Sequence, residues 1–448
     1  VYGSATDTTI NSGGEQAVSS GGSVTNTLIN GDGFQTVYSG GSATGTTIKS
    51  DGSLVVFAGG SAVAITQESG GAISTDTGSV LNGNNAKGSF SIAGGSASNM
   101  LLENGGSLTV LGGHKASDTT VGLDGVMHIK SGGSATGTTI DRGIQTVDGN
   151  AENTTVTGGT QTVNVGGTAI NTILNQAWQF VSGLADKTTL NDGATQTVIT
   201  GGKASNTTVN STATQIIQAG ASATDAILNI DGLQEILTNG NATGTIIDGG
   251  LQRIQGTADN TTLNAGYQQV SAGGIASNTT VNGGEQRIES GGSATTTLLN
   301  THGFQNVLAG GSATGTTIDG GVQNVSGSAD NTTVNDGIQI VYAGGAVTNT
   351  TINSGGVMQV DAGGSASQVT QNRGGAVVTN TSAVLSGTND KGIFSITGGS
   401  ASNMLLENDG YLTVFGGHEA SDTTVGSNGT LDVRSGGVLR GTTTLNDK

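Results

Sequence analysis

The sequence predicts an all-β fold, a right-handed parallel β-helix (a solenoid) of roughly 25 rungs. Three observations predict it: a unit of 16 to 19 residues recurs along most of the chain, hydrophobicity alternates within the unit, and 81 of the 448 residues are glycine while none is proline. A unit this short cannot bury a core alone, but it can when it stacks on copies of itself. Because parallel crossovers are overwhelmingly right-handed, the coil is expected to have that hand.

The most regular feature of the unit is a glutamine that is followed two positions later by valine or isoleucine. This spacing places both side chains on the same face of a strand. In related units the glutamine position carries leucine or methionine, as at Leu54, Leu108 and Met127, which have a similar volume but are apolar. The position is therefore predicted to be interior, with each Gln bonded to the Gln of the next turn. The glutamines are Gln16, Gln35, Gln145, Gln161, Gln179, Gln196, Gln215, Gln234, Gln252, Gln268, Gln286, Gln305, Gln323 and Gln339.

A second strand is predicted in the segment T-x-T-T-I, for example from Thr6 to Ile10. Its last residue is aliphatic in nearly every unit and is expected to point inward. Thr6 and Thr8 lie four and two residues before Ile10, which places all three side chains on one face of a continuous strand. The two threonines are therefore expected to face inward as well, or to lie at a corner. Between the strands, Gly-Gly, Asp-Gly and Asn-Gly pairs supply the positive φ of sharp turns.

A longer duplication lies on top of the short repeat. Residues from about 61 to 137 recur at about 365 to 441, with a constant offset of 304. Each copy contains one irregular stretch, Gly78 to Ile92 and Ser382 to Ile396, which is expected to form a protruding loop or a bend. Apart from these blocks, residues 1–448 are expected to form a single β-helical region.

Charge and composition exclude several classes of partner. The net charge is −18, from 14 basic and 32 acidic residues, which does not suit nucleic acid or an anionic membrane. No apolar run reaches the roughly 18 residues that a membrane-spanning helix needs. The first residues lack the pattern of a signal peptide and begin within a repeat, so the chain is expected to be a piece of a longer protein.

No motif for catalysis, metal binding or cofactor binding is found, and the chain is predicted not to be an enzyme. The sequence lacks G-x-S-x-G, P-loop, H-E-x-x-H and C-x-x-C segments, and it has no cysteine. His114 and His418 occupy one turn position in the two duplicated blocks, where other units carry Ser. The enzyme alternative is a polysaccharide lyase or hydrolase, since some parallel β-helices carry such sites.

The position before each Gln is the candidate contact surface, because its parity places it outside the coil or at a corner. It carries aromatic side chains at Phe34, Trp178, Tyr267 and Phe304. Exposed apolar side chains in a row indicate a surface that contacts a partner. The alternative is that a neighbouring turn partly buries them.

The segments SGGSATGTTI, GGEQ and TTVNGG, together with SNMLLENGGSLTV and GGHKASDTTV, resemble the passenger regions of AIDA-type self-associating autotransporter adhesins. Antigen 43 and the TibA-type adhesins are related to this group, and the resemblance covers essentially the whole chain. It implies a virulence-associated glycoprotein that is exported through its own outer-membrane β-barrel to the surface of a Gram-negative bacterium. It also implies attachment to a host-cell receptor, autoaggregation by homotypic contacts with itself on neighbouring cells, and biofilm formation.

The resemblance further implies modification, because some members are O-heptosylated on repeat Ser and Thr by a dedicated heptosyltransferase. The matching hydroxyls in GGS turns are those of Ser23, Ser42, Ser134, Ser293, Ser312 and Ser365. The signal peptide and the barrel that the resemblance implies are expected to lie outside this chain, which is not expected to insert into a membrane itself. The expected function is therefore adhesion or aggregation, and the alternative is a passive stalk that displays another domain.

Overall fold

A computed structural model describes residues 1–445, which form β-strands and turns and contain no helix. The chain forms two compact units, Val1–Thr224 and Asp225–Lys448. In each unit, one solenoid turn carries three kinds of strand: an Ala strand with a small inward residue (S-A-T), a Thr strand (T-I) and a Gln strand (x-Q-x-V). The two units together contain about 23 turns, close to the predicted 25, and the parallel solenoid fold is confirmed.

The strand bounds in the first unit follow. Ala strands are Ser4–Thr6, Ser23–Thr25, Ser42–Thr44, Ser61–Gln67 (which runs on into a Thr strand), Ser96–Ser98, Lys115–Ser117, Ser134–Thr136, Asn150–Glu152, Thr168–Ile170, Leu184–Asp186, Lys203–Ser205 and Ser222–Thr224. Thr strands are Thr9–Ile10, Leu28–Ile29, Thr47–Ile48, Leu101–Leu102, Thr120–Val121, Thr139–Asp141, Thr155–Thr157, Ile173–Asn175, Thr189–Asn191 and Thr208–Val209. Gln strands are Glu15–Val18, Phe34–Val37, Ser53–Val56, Ala72–Asp76, Ser107–Val110, Val126–Ile129, Ile144–Val147, Thr160–Val163, Trp178–Val181, Thr195–Val198 and Thr214–Ile217. A hairpin adds Val80–Asn85 and Gly88–Ala93.

The second unit repeats this order. Ala strands are Asn241–Thr243, Thr257–Asp259, Ile275–Ser277, Ser293–Thr295, Ser312–Thr314, Ser328–Asp330, Ala346–Thr348, Ser365–Gln371 (which runs on into a Thr strand), Ser400–Ser402, Glu419–Ser421 and Val438–Arg440. Thr strands are Ile227–Asn229, Thr280–Val281, Leu298–Asn300, Thr351–Ile352, Leu405–Leu406, Thr424–Val425 and Thr444–Leu445. Gln strands are Leu233–Ile236, Gly284–Ile288, Gly303–Val307, Gly356–Val360, Ala376–Asn380, Tyr411–Val414 and Thr430–Val433. Four strands span both positions, Ile246–Ile254, Thr262–Val270, Thr317–Val325 and Thr333–Val341, and a hairpin adds Val384–Asn389 and Gly392–Thr397.

The glutamines line the interior, as predicted. In the second unit the side chains of Gln268, Gln286 and Gln305 are fully buried. The Nε2 of Gln286 donates to Oε1 of Gln268 over 2.8 Å, and the Nε2 of Gln305 donates to Oε1 of Gln286 over 2.6 Å. In-register pairing of the Gln strands stacks these amides, so one side chain provides the hydrogen-bond partner that the next one needs.

A buried threonine donates to the glutamine at most links of this column. Thr46 donates its hydroxyl to Oε1 of Gln35 over 3.0 Å, and Thr297 does the same to Gln286 over 3.1 Å. Where Leu108 replaces the glutamine, the buried hydroxyl of Thr119 has no partner. The column is therefore a network of Gln and Thr, and the inward Thr of the T-x-T-T-I segment serves as a hydrogen-bond donor.

The first Thr of this segment was predicted to face inward or to lie at a corner, and the structure places it on the outside, directly before a corner. Thr44 is exposed, whereas Thr46 is buried. Between them Gly45 has φ 73, and the matching residues Asp7 and Asn26 have φ 51 and 56. A left-handed residue breaks the two-residue alternation, so the segment is two strands around a corner and the parity changes at the break.

The two glycines of a Gly-Gly pair serve different purposes, which can be seen at Gly201 and Gly202. Gly201 has φ +82 and open space where a Cβ would be. A Cβ on Gly202 would lie only 2.0 Å from the carbonyl oxygen of Val181 in the turn before it. Positive φ therefore explains the first glycine, and close backbone approach between stacked turns explains the second.

The irregular stretches are antiparallel hairpins within the sheet, where a protruding loop or bend was expected. In the first unit the hairpin pairs Leu81 with Ile92 and then joins the strand Ser96–Ser98. Ile92 and Phe90 are buried, so the inserted strands contribute core side chains. The Nδ2 of Asn99 donates to two carbonyl oxygens near the hairpin tip. The second copy has the same antiparallel pairing.

Candidate contact and modification surfaces

The structure places the four aromatic candidates of the contact surface on the outer side of Gln strands. Each is the residue before the buried Gln, and the alternation of the strand turns it outward. The exposed fractions are 37% for Phe34, 50% for Trp178, 57% for Tyr267 and 43% for Phe304. The first two lie in the first unit and the last two in the second. All four side chains are thus available to a partner.

Further aromatic residues surround the first-unit candidates. The rings of Tyr38 and Phe57 are stacked with centroids 5.3 Å apart. Both are exposed and both directly follow a Gln strand. Phe180 lies on the same strand as Trp178, also facing outward. These residues were not predicted as contacts, because the aromatic side chain falls at different positions of the unit in different turns.

In the second unit, Tyr267 and Phe304 lie in one column of the sheet with Glu285 between them. A shallow cavity of about 360 Å³ is lined by Leu251, Tyr267, Gln269, Arg287 and Glu289. A second cavity of about 240 Å³ lies on the other side of the same tyrosine, where Glu285 and Phe304 line it. The tyrosine ring therefore stands between two adjoining depressions.

The six candidate serines are the first residues of Ala strands and lie directly after the Gly-Gly turns that were expected to contain them. They point away from the buried Ala or Val that follows, so Ser23 is exposed and the other five are half-buried. Parallel pairing aligns Ser23 with Ser42 in the first unit and Ser293 with Ser312 in the second. The hydroxyls therefore form rows on the outer side of the Ala strands.

Some other hydroxyls of the Ala strands donate hydrogen bonds to carboxylates. The Ser277 hydroxyl donates to Oδ1 of Asp259 over 2.6 Å, and the Asn278 amide donates to the same oxygen over 2.8 Å. These hydrogen bonds, the one from Ser277 first, hold the pKa of Asp259 below its ordinary value, so it is ionised near neutral pH. The pKa values of Asp186 and Asp330 are lowered by the same arrangement. A hydroxyl that is held in this way is less free to turn towards a sugar donor than one without such a bond.

Within residues 1–445 the structure contains no group of three or more His, Cys, Asp or Glu side chains that could hold a metal ion. His114 Nδ1 lies 2.9 Å from the hydroxyl of Thr77, and His418 makes the matching contact with Thr381 over 2.8 Å. These histidines therefore have hydrogen-bond partners within their own units. In the same described residues, no helix has the length and apolar character that crossing a membrane requires.

Comparisons with known proteins point to one family. A family profile described as "Adhesin of bacterial autotransporter system, probable stalk" (AIDA) matches residues 82–143 and 386–447. Autotransporter adhesin/invasin TibA of Escherichia coli O78:H11 (strain H10407 / ETEC) is 81% identical over 70 residues, which are 16% of this chain and 7% of TibA. Autotransporter CRAC of Citrobacter rodentium (strain ICC168) is 58% identical over 66 residues, which are 14% of this chain and 4% of CRAC. The matches thus cover only small parts of these relatives.

One solved structure is also similar in sequence. It is that of a TibC-catalysed, hyper-glycosylated TibA fragment, which is 34% identical to this chain, and the match covers 85% of this chain and 97% of the fragment. The TM-score of this match is 0.29. The family and the relatives are described as adhesins or autotransporters, and none of these descriptions names an enzyme.

Proposed function

Because this chain belongs to the family of AIDA-type autotransporter adhesin passengers, we propose that it mediates cell attachment and aggregation through its outward aromatic side chains. It is a non-catalytic passenger of the adhesin type. The observation that carries the proposal is the exposure of Phe34, Trp178, Tyr267 and Phe304 on the outer side of Gln strands. In a protein with few aromatic residues, such exposure favours a contact role.

The alternative is a passive stalk, which the description of the matching family favours. The matched ranges, 82–143 and 386–447, include none of the four aromatic residues. The stalk-like segments and the contact residues are therefore different parts of this chain. This separation supports a division in which the matched segments act as a stalk and other turns of the same chain make the contacts.

The partners of the proposed adhesin are a second copy of the chain on a neighbouring cell and a host-cell surface receptor. Many weak contacts along a repeating surface add through multivalency, so a single strong site is not required. The chain is displayed outside the outer membrane of a Gram-negative cell, where both partners are within reach. Biofilm formation follows from the same homotypic contacts.

Cells that display the chain are expected to settle, and a variant with all four aromatic residues replaced by Ser is expected to settle like cells without the chain. The control variant replaces exposed aliphatic residues of other strands, Ile173, Leu184, Ile246 and Ile275, by Ser. Its cells should settle like the parent, because it loses exposed apolar surface away from the proposed contact. Attachment to cultured host cells is measured in parallel. Equal settling of parent and four-aromatic variant would favour the stalk.

The rows of free hydroxyls support a second proposal, that a heptosyltransferase modifies the outer side of the Ala strands. The candidates are Ser23, Ser42, Ser134, Ser293, Ser312 and Ser365. Peptide mass spectrometry of the chain, produced together with such an enzyme, should find sugar on these serines more often than on Ser277, whose hydroxyl is bonded to Asp259. A map in which Ser277 is modified as often as they are would contradict the assignment.

A further inference from the structure

We propose that the outer side of the Gln strands around Tyr267 and Phe304 binds an extended chain of neutral sugars, which lies along the direction in which the solenoid turns stack. This inference rests on the proposed adhesive function and names the chemistry of one of its partners. Four observations on the second unit carry it: the spacing of the two rings, the polar side chains beside them, the local charge, and the two shallow cavities that share Tyr267.

The spacing of the two aromatic rings matches an extended glycan. Tyr267 pairs with Glu285, which pairs with Phe304, so two strand steps separate the aromatic residues. Neighbouring strands lie about 4.8 Å apart, which places the residues roughly 9.6 Å apart along the column. This distance is close to the length of two sugar units in an extended β-linked chain. Alternate sugar rings can therefore lie against Tyr267 and Phe304, with the intervening sugar beside Glu285.

The adjacent outward column supplies hydrogen-bonding groups suited to sugar hydroxyls. It carries Arg253, Gln269 and Arg287 in register. The Nε2 of Gln269 donates to Glu289 Oε1 over 2.8 Å, and the Ser271 hydroxyl donates to Glu289 Oε2 over 3.1 Å. These contacts hold planar polar groups in place before a ligand arrives, which reduces the entropy lost on binding. Both donors and acceptors are present, as a polyol requires.

The local charges favour a neutral ligand. Arg253 and Arg287 are the only Lys or Arg residues between Asp225 and Asn372. Arg253 Nη1 lies 3.2 Å from Glu235 Oε1, and the nearest Arg287–Glu289 nitrogen–oxygen distance is 3.7 Å. With Glu285 also present, acids outnumber bases at the surface. A nucleic acid or an anionic membrane would be repelled. An uncharged polyol can form hydrogen bonds with both the acidic and the basic side chains.

The shape of the surface also fits a glycan strand. Two depressions of about 360 and 240 Å³ meet at Tyr267, one towards Leu251 and the other towards Phe304. Each can hold a sugar ring against the tyrosine or its neighbours. A protein partner would need roughly 800 Å² of contact on each side, and Glu285 interrupts the apolar column in its middle. A narrow ligand that follows the column fits this pattern better than a flat protein surface.

The test is calorimetric titration of the purified 448-residue chain with cellohexaose, an extended β-1,4 glucan, and with maltohexaose, which has the same sugar in a coiled chain. Cellohexaose is expected to bind in a saturable way and maltohexaose at least about tenfold more weakly. Tyr267→Ala should weaken cellohexaose binding by about tenfold or more, while Tyr267→Phe keeps most of it. Tyr342→Ala, which removes another exposed aromatic ring of the second unit that is not among the four contact residues, is the matched control and should bind like the parent.

Three outcomes would overturn the inference: no saturable binding of cellohexaose, equal binding of both glucans, or unchanged binding by Tyr267→Ala. Thermal unfolding of each variant shows whether it is folded. The settling experiment is read separately. If settling depends on the aromatic residues but cellohexaose does not bind, the adhesive function stands and the surface contacts a protein. If cellohexaose binds but settling does not depend on these residues, the adhesive proposal fails and the sugar site stands.

Discussion

Replacing Gln286 by Glu is expected to destabilise the protein by about 3–5 kcal/mol at pH 7. This is the usual cost of leaving an uncompensated charge in a protein interior. The change removes the Nε2 group that donates to Oε1 of Gln268. It also places a carboxylate at a position with no exposure to water. Two acceptor oxygens then face each other in the column, and neither has water as an alternative. The shift of the urea unfolding midpoint measures the effect.

The same substitution at an exposed glutamine is the control. Gln255 directly follows a Gln strand of the same unit and is exposed to solvent, so Gln255→Glu should change stability by less than about 0.5 kcal/mol. In Gln286→Glu, burial raises the pKa of the introduced carboxyl above its unfolded value. The charge-related part of the destabilisation is therefore absent below about pH 4, where both states are protonated, and grows as the pH rises. Equal midpoints for the two variants at pH 7 would contradict a buried column.

The substitution Gly202→Ala is expected to cost about 3 kcal/mol or more, because overpacking against a rigid backbone leaves no flexible atom that can move. The new Cβ would lie 2.0 Å from the carbonyl oxygen of Val181. The stacked turns would have to separate at this point, which would strain the backbone hydrogen bond from Lys203 to Gly183. The loss of stability is measured by the midpoints of thermal unfolding and of urea unfolding.

Its neighbour provides a control within the same pair. Gly201→Ala meets nothing within 4 Å, but it forces an alanine to adopt φ +82. The expected cost is about 1–2 kcal/mol, the ordinary penalty of a left-handed conformation. Gly202→Ala should therefore be clearly the more destabilising of the two. If the order were reversed, the second glycine would be there for its backbone angle and the close stacking of turns would not be the reason.

The glutamine column could be predicted from sequence, because the residues that replace glutamine in other repeat units show whether the position is buried. Leu54 and Met127 occupy the position of Gln35 and Gln145, and only an interior site accepts all three side chains. The repeat thus provides an internal comparison that a single non-repeating sequence lacks. The outward placement of Trp178 followed from the same alternation, once the glutamine was placed inside.

Other features could not be predicted, because they depend on one backbone angle or on contacts between turns. A single left-handed residue such as Asp7 or Gly45 reverses the parity of the threonines, and the alternation rule cannot account for it. The hairpins were missed because the register of an insertion depends on which of its residues become core, here Phe90 and Phe394. The polar groups beside Tyr267 come from adjacent turns of 16 and 18 residues, so their proximity appears only after the turns are aligned.

Hydrogen exchange of glutamine side-chain amides, followed by NMR on a chain labelled with ¹⁵N only in glutamine, tests the central claim most directly. The claim is that stacked turns enclose a hydrogen-bonded column of glutamines and leave the alternate positions free for contact. The amides of buried residues such as Gln35, Gln179 and Gln286 should then exchange far more slowly than those of the exposed Gln176 and Gln255. Exchange of all these side chains at one rate, that of the exposed residues, would contradict the interior column and the surfaces derived from it.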